Sequence, residues 1–283
     1  MKKLLLLSIL FIVGCNTQQK DITYQFTSLN NSINKLINHD EFTNRWSKFD
    51  IDVRLNKQNG NKNELFQYIS TQVLQWSESE KIKVDSLMQS INNDIKHLKL
   101  KIDYPDTIFF IKTTGEEEGN AGGYTRSSCL ILNDETLLWE FQELKNIIIH
   151  ELFHIISRKN LSFRERMYEV IGFKVIKEIS FPQSLIDLKV TNPDAPMINS
   201  YINLSNGDES NDYTLITYSK KEFNGGSLFD YVTFGFIKLQ DLNNGVKLPI
   251  IYVDGDFTNF FEQFTRFLYC FPIFSRNQLW QLR

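Results

Sequence analysis

Apolar residues along the chain recur with three different periods. Leu4 to Val13 is a continuous apolar block interrupted by Ser8. At ten residues it is too short to span a bilayer. From Phe26 to Phe49 the apolar positions Leu29, Ile33, Leu36, Ile37, Phe42, Trp46 and Phe49 follow helical spacing, and 64–76 and 84–100 repeat the type. Gln58-Asn59-Gly60-Asn61 breaks the first pair of helices. The pattern then turns to strands. Thr107 to Lys112 and Tyr124 to Leu132 flank an acidic, glycine-rich loop, 115–123. A helix follows, capped by Asp134, with Leu137, Leu138, Phe141, Leu144, Ile148, Leu152 and Ile155 as its apolar stripe and Asn160 as its stop. Segments 186–190, 212–219, 232–239 and 248–253 read as strands, and 257–268 as an apolar helix. The expected class is α+β, with a helical N-terminal region over 24–104 and a catalytic unit over 105–283.

The chemistry is concentrated in the helix after the paired strands. His150-Glu151-Leu152-Phe153-His154 places two imidazoles four residues apart, on one face and one turn apart, so that both reach one metal ion. Glu151 is turned about 100° from His150. There it can act on water at the metal without being a first-choice ligand. Two neutral imidazoles, a carboxylate base and an open coordination position are what zinc-dependent hydrolysis needs. The chain has four histidines, and two of them are here.

This H-E-x-x-H helix resembles the zinc-binding helix of the zincin metallopeptidases. The metzincin variant needs Gly and His further along, where Ser157 and Asn160 stand. The gluzincin variant, whose third ligand is a Glu on a later helix, is closer. The resemblance implies zinc ligated by His150 and His154, Glu151 as catalytic base, and a peptide or protein substrate. It also implies a cleft whose upper edge is the strand before the zinc helix, here Tyr124-Thr125-Arg126-Ser127. For the third ligand, Glu262 is the one acid of the aromatic-rich 257–268 helix, and such a carboxylate is costly to bury without a partner. Some gluzincins carry a second acid four residues earlier; Thr258 occupies that position here. Glu165 and Glu169 follow His154 at short range and are the alternatives. An oxyanion donor is expected from Tyr218, whose neighbours Thr217 and Ser219 are polar, or from Arg126. Asn192-Pro193-Asp194-Ala195-Pro196 reads as a rigid turn joining strands, or as a wall of the cleft.

Lys2 and Lys3 precede the Leu4–Val13 block, which ends in Ile12-Val13-Gly14-Cys15. This resembles the signal peptide and lipobox of bacterial lipoproteins. The resemblance implies cleavage before Cys15, its lipidation, and an exported protein anchored in the cell envelope by more than one acyl chain, with 16–23 as a tether. Removing Lys2 and Lys3 takes the net charge from −3 to −5, which gives no support to a nucleic-acid surface. Cys129 and Cys270 either pair after export or are buried thiols. The chain therefore reads as an exported, membrane-anchored zinc metallopeptidase. The alternative is a non-catalytic surface lipoprotein whose degraded site binds a peptide or protein.

Overall fold

The computed structural model describes residues 20–100, 102–206, 209–242 and 246–249. Its architecture is α+β with two sheets. The elements in chain order begin with β1 (Tyr24–Phe26), α1 (Leu29–Leu36), α2 (Lys48–Arg54), α3 (Lys62–Gln72), β2 (Val73–Leu74) and α4 (Glu78–His97). Next come β3 (Ile108–Thr113), β4 (Gly123–Arg126), β5 (Cys129–Asn133), α5 (Phe141–Lys159) and α6 (Leu161–Val170). The last are β6 (Phe173–Val175), α7 (Gln183–Ile186), β7 (Ser200–Asn206), β8 (Glu209–Ser219), β9 (Val232–Leu242) and β10 (Val246–Pro249).

The first sheet is mixed, in the order β1-β3-β5-β4. β1 and β5 run parallel to β3 on either side, while β4 closes antiparallel to β5. β2 pairs with the far end of β3, at Lys112 and Thr113. Side-chain alternation sorts this sheet into two cores. Ile108, Phe110, Leu130 and Leu132 face α4 and α5, packing with Val84, Leu87, Met88, Leu144, Ile148 and Leu152. Ile111, Cys129 and Ile131 face the other way, onto Leu36, Leu65 and Ile69 of α1 and α3. The second sheet is an antiparallel meander, β10-β9-β8-β7-β6. A cluster of Phe49, Val53, Val190, Phe223 and Tyr231 ties it to α2.

Several sequence-based expectations change. The N-terminal region is helical but supplies two strands to the first sheet. These pairings are fixed by β3, more than 30 residues away for either strand, and leave no local periodicity. The 26–49 helix is broken: α1 stops at Leu36, and Asp40 accepts from the backbone N–H groups of Phe42 and Thr43, which starts a 3₁₀ turn instead. The expected 124–132 strand is a hairpin. Ser127 takes a left-handed φ of +51° at its turn, a conformation usually left to Gly or Asn. Residues 183–186 are a short helix where a strand was expected from 186, and only Lys189 bridges to Tyr218. The H-E-x-x-H helix, α5, begins at Phe141, not after Asp134. Trp139 and Glu140 are extended, so the apolar residues before them form a separate 3₁₀ turn, Thr136–Leu138. Asn160 does end α5, and its side chain also caps α6 by accepting from the backbone N–H of Phe163 at 2.9 Å.

Candidate metal centre

The buried stripe of α5 runs through Leu144, Ile147, Ile148, Glu151, Leu152 and Ile155. Glu151 therefore lies on the core side of the helix, beneath the first sheet, and is 2% exposed. The glycine pair 122–123 permits this close approach. A Cβ on Gly122 would stand 2.8 Å from Thr136 Oγ1. One on Gly123 would stand 3.2 Å from Ile147 Cδ1 and 3.3 Å from Glu151 Oε1. The edge strand thus rests directly on the helix at the carboxylate.

His150 and His154 turn toward each other. Their Nε2 atoms are 3.0 Å apart. Two nitrogens bound tetrahedrally to one zinc ion at about 2.0–2.1 Å would be separated by roughly 3.3 Å. Without a cation, one ring must carry its proton on Nε2 and donate to the other. Burial is the main cause that holds His150 down at about 4, with the neighbouring His154 second, and burial likewise lowers His154. Both rings are therefore neutral at ordinary pH, which is the form that ligates metal.

The third group is Asp194, in the proline-flanked turn. Ligand atoms of Glu151, His154 and Asp194 all lie within 4.8 Å of one another. Asp194 is held firmly. Its Oδ1 accepts from the backbone N–H of Thr125 at 2.6 Å and from the Thr125 hydroxyl at 2.8 Å. Its own N–H donates to Asn192 Oδ1 at 2.9 Å. Arg158, one turn beyond His154, donates through Nη2 to the carbonyls of Pro193 and Asp194 and to Thr125 Oγ1, and through Nη1 to the Ser127 carbonyl. One guanidinium thus ties α5, the edge strand and the Asp194 turn together.

The electrostatics of this group fit a divalent cation. Glu151 Oε2 is buried with no hydrogen-bond partner among the described residues. Burial first, then the Asp194 carboxylate, pushes Glu151 well above the usual carboxylate range. Two carboxylates sharing a dry site repel unless one is protonated or a cation lies between them. Two neutral imidazoles and a carboxylate are a donor set suited to zinc, and the Glu151 carboxylate, one oxygen of which has no partner among the described residues, stands beside them.

No family model, curated protein or solved structure matches this chain. The geometry therefore carries the functional reading alone. It brings His154, Glu151 and Asp194 into one group, with His150 outside that group but against His154. Glu165 and Glu169 lie exposed on α6 and are not part of the group. Glu262, Cys15 and Cys270 lie outside the described residues. Tyr218 is buried with Leu185, Ile216 and Ile237 in the core of the second sheet. Arg126 is committed to Asp40 and to the carbonyls of Leu36 and Asn38. A proline-flanked Asp was the signal for this missed member of the group, but the same pattern marks ordinary turns.

Two features shape access. β4 is an edge strand, and its pairing phase turns Gly123 and Thr125 away from β5. The Thr125 N–H is taken by Asp194, so Gly123 is the residue of β4 with both main-chain groups directed to the free edge. Beside the metal group opens a cleft of about 520 Å³, lined in part by Phe42, Ile155, Arg158, Lys159 and Pro193. A smaller cavity that includes His154 and Asp194 shares Glu41, Arg158 and Pro196 with it.

Proposed function

We propose that this chain is a zinc-dependent hydrolase of the zincin type that cleaves amide bonds in peptides or proteins. The observation that carries the reading is the convergence of the His150 and His154 Nε2 atoms, 3.0 Å apart, beside the buried, unpartnered oxygen of Glu151. His150, His154 and Asp194 are the ligands, with Asp194 in the place where the gluzincin pattern has a glutamate. Zinc held there would polarise the substrate carbonyl and make water a nucleophile near neutral pH.

Glu151 is the base that takes the proton from the attacking water and passes it to the leaving amine. Its buried position suits both halves of that task, because an environment that raises a carboxyl's proton affinity lets it accept and then hold a proton. Thr125 fixes the Asp194 carboxylate by two hydrogen bonds and Arg158 holds the main-chain carbonyls of Pro193 and Asp194, which spares the carboxylate's orientation from being set anew in each cycle. Gly123 offers its N–H and C=O to an extended substrate at the free edge of β4. The adjoining cleft then takes a substrate side chain. Export and lipidation at Cys15 belong to the same reading and place the enzyme on the cell envelope. Among the described residues, no helix is long and apolar enough to cross a membrane.

The decisive experiment is zinc stoichiometry and affinity of the full chain in detergent, beside His154→Ala, Asp194→Asn and Glu262→Gln. One zinc per chain, lost in His154→Ala and weakened in Asp194→Asn but not in Glu262→Gln, supports this ligand set. Weakening in Glu262→Gln alone would move the third ligand to Glu262. No zinc in the unmodified chain after metal is added back would overturn the reading.

A further inference from the structure

The N-terminal helix α2 carries a buried ionic network that packing alone does not explain. Arg54 is enclosed, with Asp50 on one side and Glu118 on the other. Its Nη1 donates to Asp50 Oδ1 at 2.6 Å, and its Nη2 to Glu118 Oε2 at 2.7 Å. Networks of this kind are costly to desolvate, and apolar replacements of similar volume are often as stable or more so. Within α2, Asp50 Oδ2 accepts from the Ser47 N–H at 2.9 Å as a capping box; a role in fixing geometry is the better account where the bonds that leave the network and its own helix all reach one segment.

They do so here. Asp50 Oδ1 accepts from the backbone N–H of Thr191 at 2.9 Å, and Asp50 Oδ2 lies 2.6 Å from the Thr191 hydroxyl. Arg54 Nη2 donates to the Thr191 carbonyl at 3.0 Å. Every polar group of Thr191 is thus held by α2. The preceding residues are held by the same element. The Ser47 hydroxyl, at the N-cap of α2, donates to the Lys189 carbonyl at 2.6 Å, and Phe49 N–H donates to the Asp187 carbonyl at 3.2 Å. Thr191 is three residues before Asp194, and Pro193 between them has a fixed φ. The other end is held by Arg158 and Thr125. The turn is therefore clamped at both ends, by α5 and β4 on one side and by α2 on the other. Glu118 sits on the loop into β4, so the network also joins the Asp194 turn to the strand that receives its carboxylate.

We propose that Asp50, Arg54 and Glu118, acting through Thr191, position Asp194 as a metal ligand. The inference rests on the reading that Asp194 ligates the metal. The first 100 residues then supply part of the metal site's scaffold, although they hold none of its ligands.

Zinc affinity of the full chain, by chelator competition, tests this with Thr191→Val, which keeps the shape and removes the hydroxyl. Its companion is Thr191→Ser, which keeps the hydroxyl. We expect Val to weaken zinc binding by about 10–100-fold, the usual effect of losing a residue that orients a ligand, and Ser to stay within about threefold of the unmodified chain. The visible spectrum of the cobalt-substituted protein should change with Val and not with Ser. In an Asp194→Asn background, Thr191→Val should add less than about threefold, since it acts through that carboxylate. If Asp194→Asn weakens zinc while Thr191→Val leaves affinity and spectrum unchanged, the positioning role fails and the ligand assignment stands. If Asp194→Asn changes nothing, the ligand assignment itself fails, and the inference with it. Should Thr191→Val not fold, Arg54→Lys decides. It keeps the buried charge but cannot bridge Glu118 and the Thr191 carbonyl, and it should produce the same loss.

Discussion

Glu151→Gln separates what the carboxylate does for chemistry from what it costs the fold. In the metal-free chain the Glu151 carboxyl is buried, has one oxygen without a partner, and neighbours the Asp194 carboxylate. A raised acid binds its proton more tightly folded than unfolded. The folded state therefore loses stability as pH rises above the ordinary value of 4.5, until the folded group has itself ionised. Gln cannot ionise, and its amide can donate to Asp194. The metal-free Gln variant should be the more stable protein, with an advantage that grows with pH above 4.5. Leaving a buried polar group unsatisfied costs roughly 1–3 kcal/mol. For a chain of this size each kcal/mol moves Tm by about 2–4 °C, so at pH 8 the variant should melt roughly 2–10 °C higher. Turnover should behave in the opposite way. Loss of a general base lowers the rate about 10²–10⁴-fold, which is roughly 3–5 kcal/mol of barrier, while zinc stays bound. The assays are thermal melts of chelator-treated protein from pH 5 to 8, and hydrolysis of a quenched fluorescent peptide pool by the zinc-loaded forms. A metal-free Gln variant less stable than wild type at pH 8 would refute the buried-carboxylate argument. Turnover within tenfold of wild type would remove Glu151 from the mechanism.

Gly123→Ala should cost roughly 1–3 kcal/mol by denaturant melt, since its Cβ would press on Ile147 and Leu132. Because the same methyl meets Glu151, turnover should fall by about tenfold or more; an unchanged rate would mean that β4 does not border the reacting groups. In the Glu151→Gln variant, zinc affinity should hold as pH falls through the ordinary histidine value of 6.5 and decline only nearer 4, because burial keeps His150 and His154 neutral; a midpoint at 6.5 or above, by competition titration, contradicts this. Cys15→Ala should leave the chain in the supernatant after membranes are sedimented, with zinc stoichiometry unchanged; retention in the pellet would argue against a lipid anchor at that residue.

The H-E-x-x-H helix was legible because its signals are local. His150, Glu151 and His154 are fixed relative to one another by helical pitch, and the apolar stripe of α5 sets which side is buried. β8 and β9 were equally readable from their alternation. Asp194 was not, since nothing within its own turn distinguishes a ligand from a connector. Its turn is held by Thr125, by Arg158 and, through Thr191, by Asp50 of α2, contacts 36 to 141 residues apart in sequence. The hairpin at Ser127 was hidden for a related reason. Its left-handed φ lacks the glycine that announces such turns, and Arg158 holds the Ser127 carbonyl from outside. Short β1 and β2 carry too few residues to show a period at all.

If Cys15 is lipidated as proposed, the pairing of β1 with β3 also limits how far the protein can reach from that anchor. Tyr24 is locked into the sheet beside Ile108. A lipid at Cys15 would leave eight residues of leash, residues 16–23, about 30 Å from Cys15 to Tyr24 when fully extended. That is comparable to the diameter of a small domain, so the body of the protein would ride close above the lipid headgroups. Its targets would then be partners on the same membrane face, or chains emerging from it. Lengthening the leash would be a way to widen its hunting ground without touching the site.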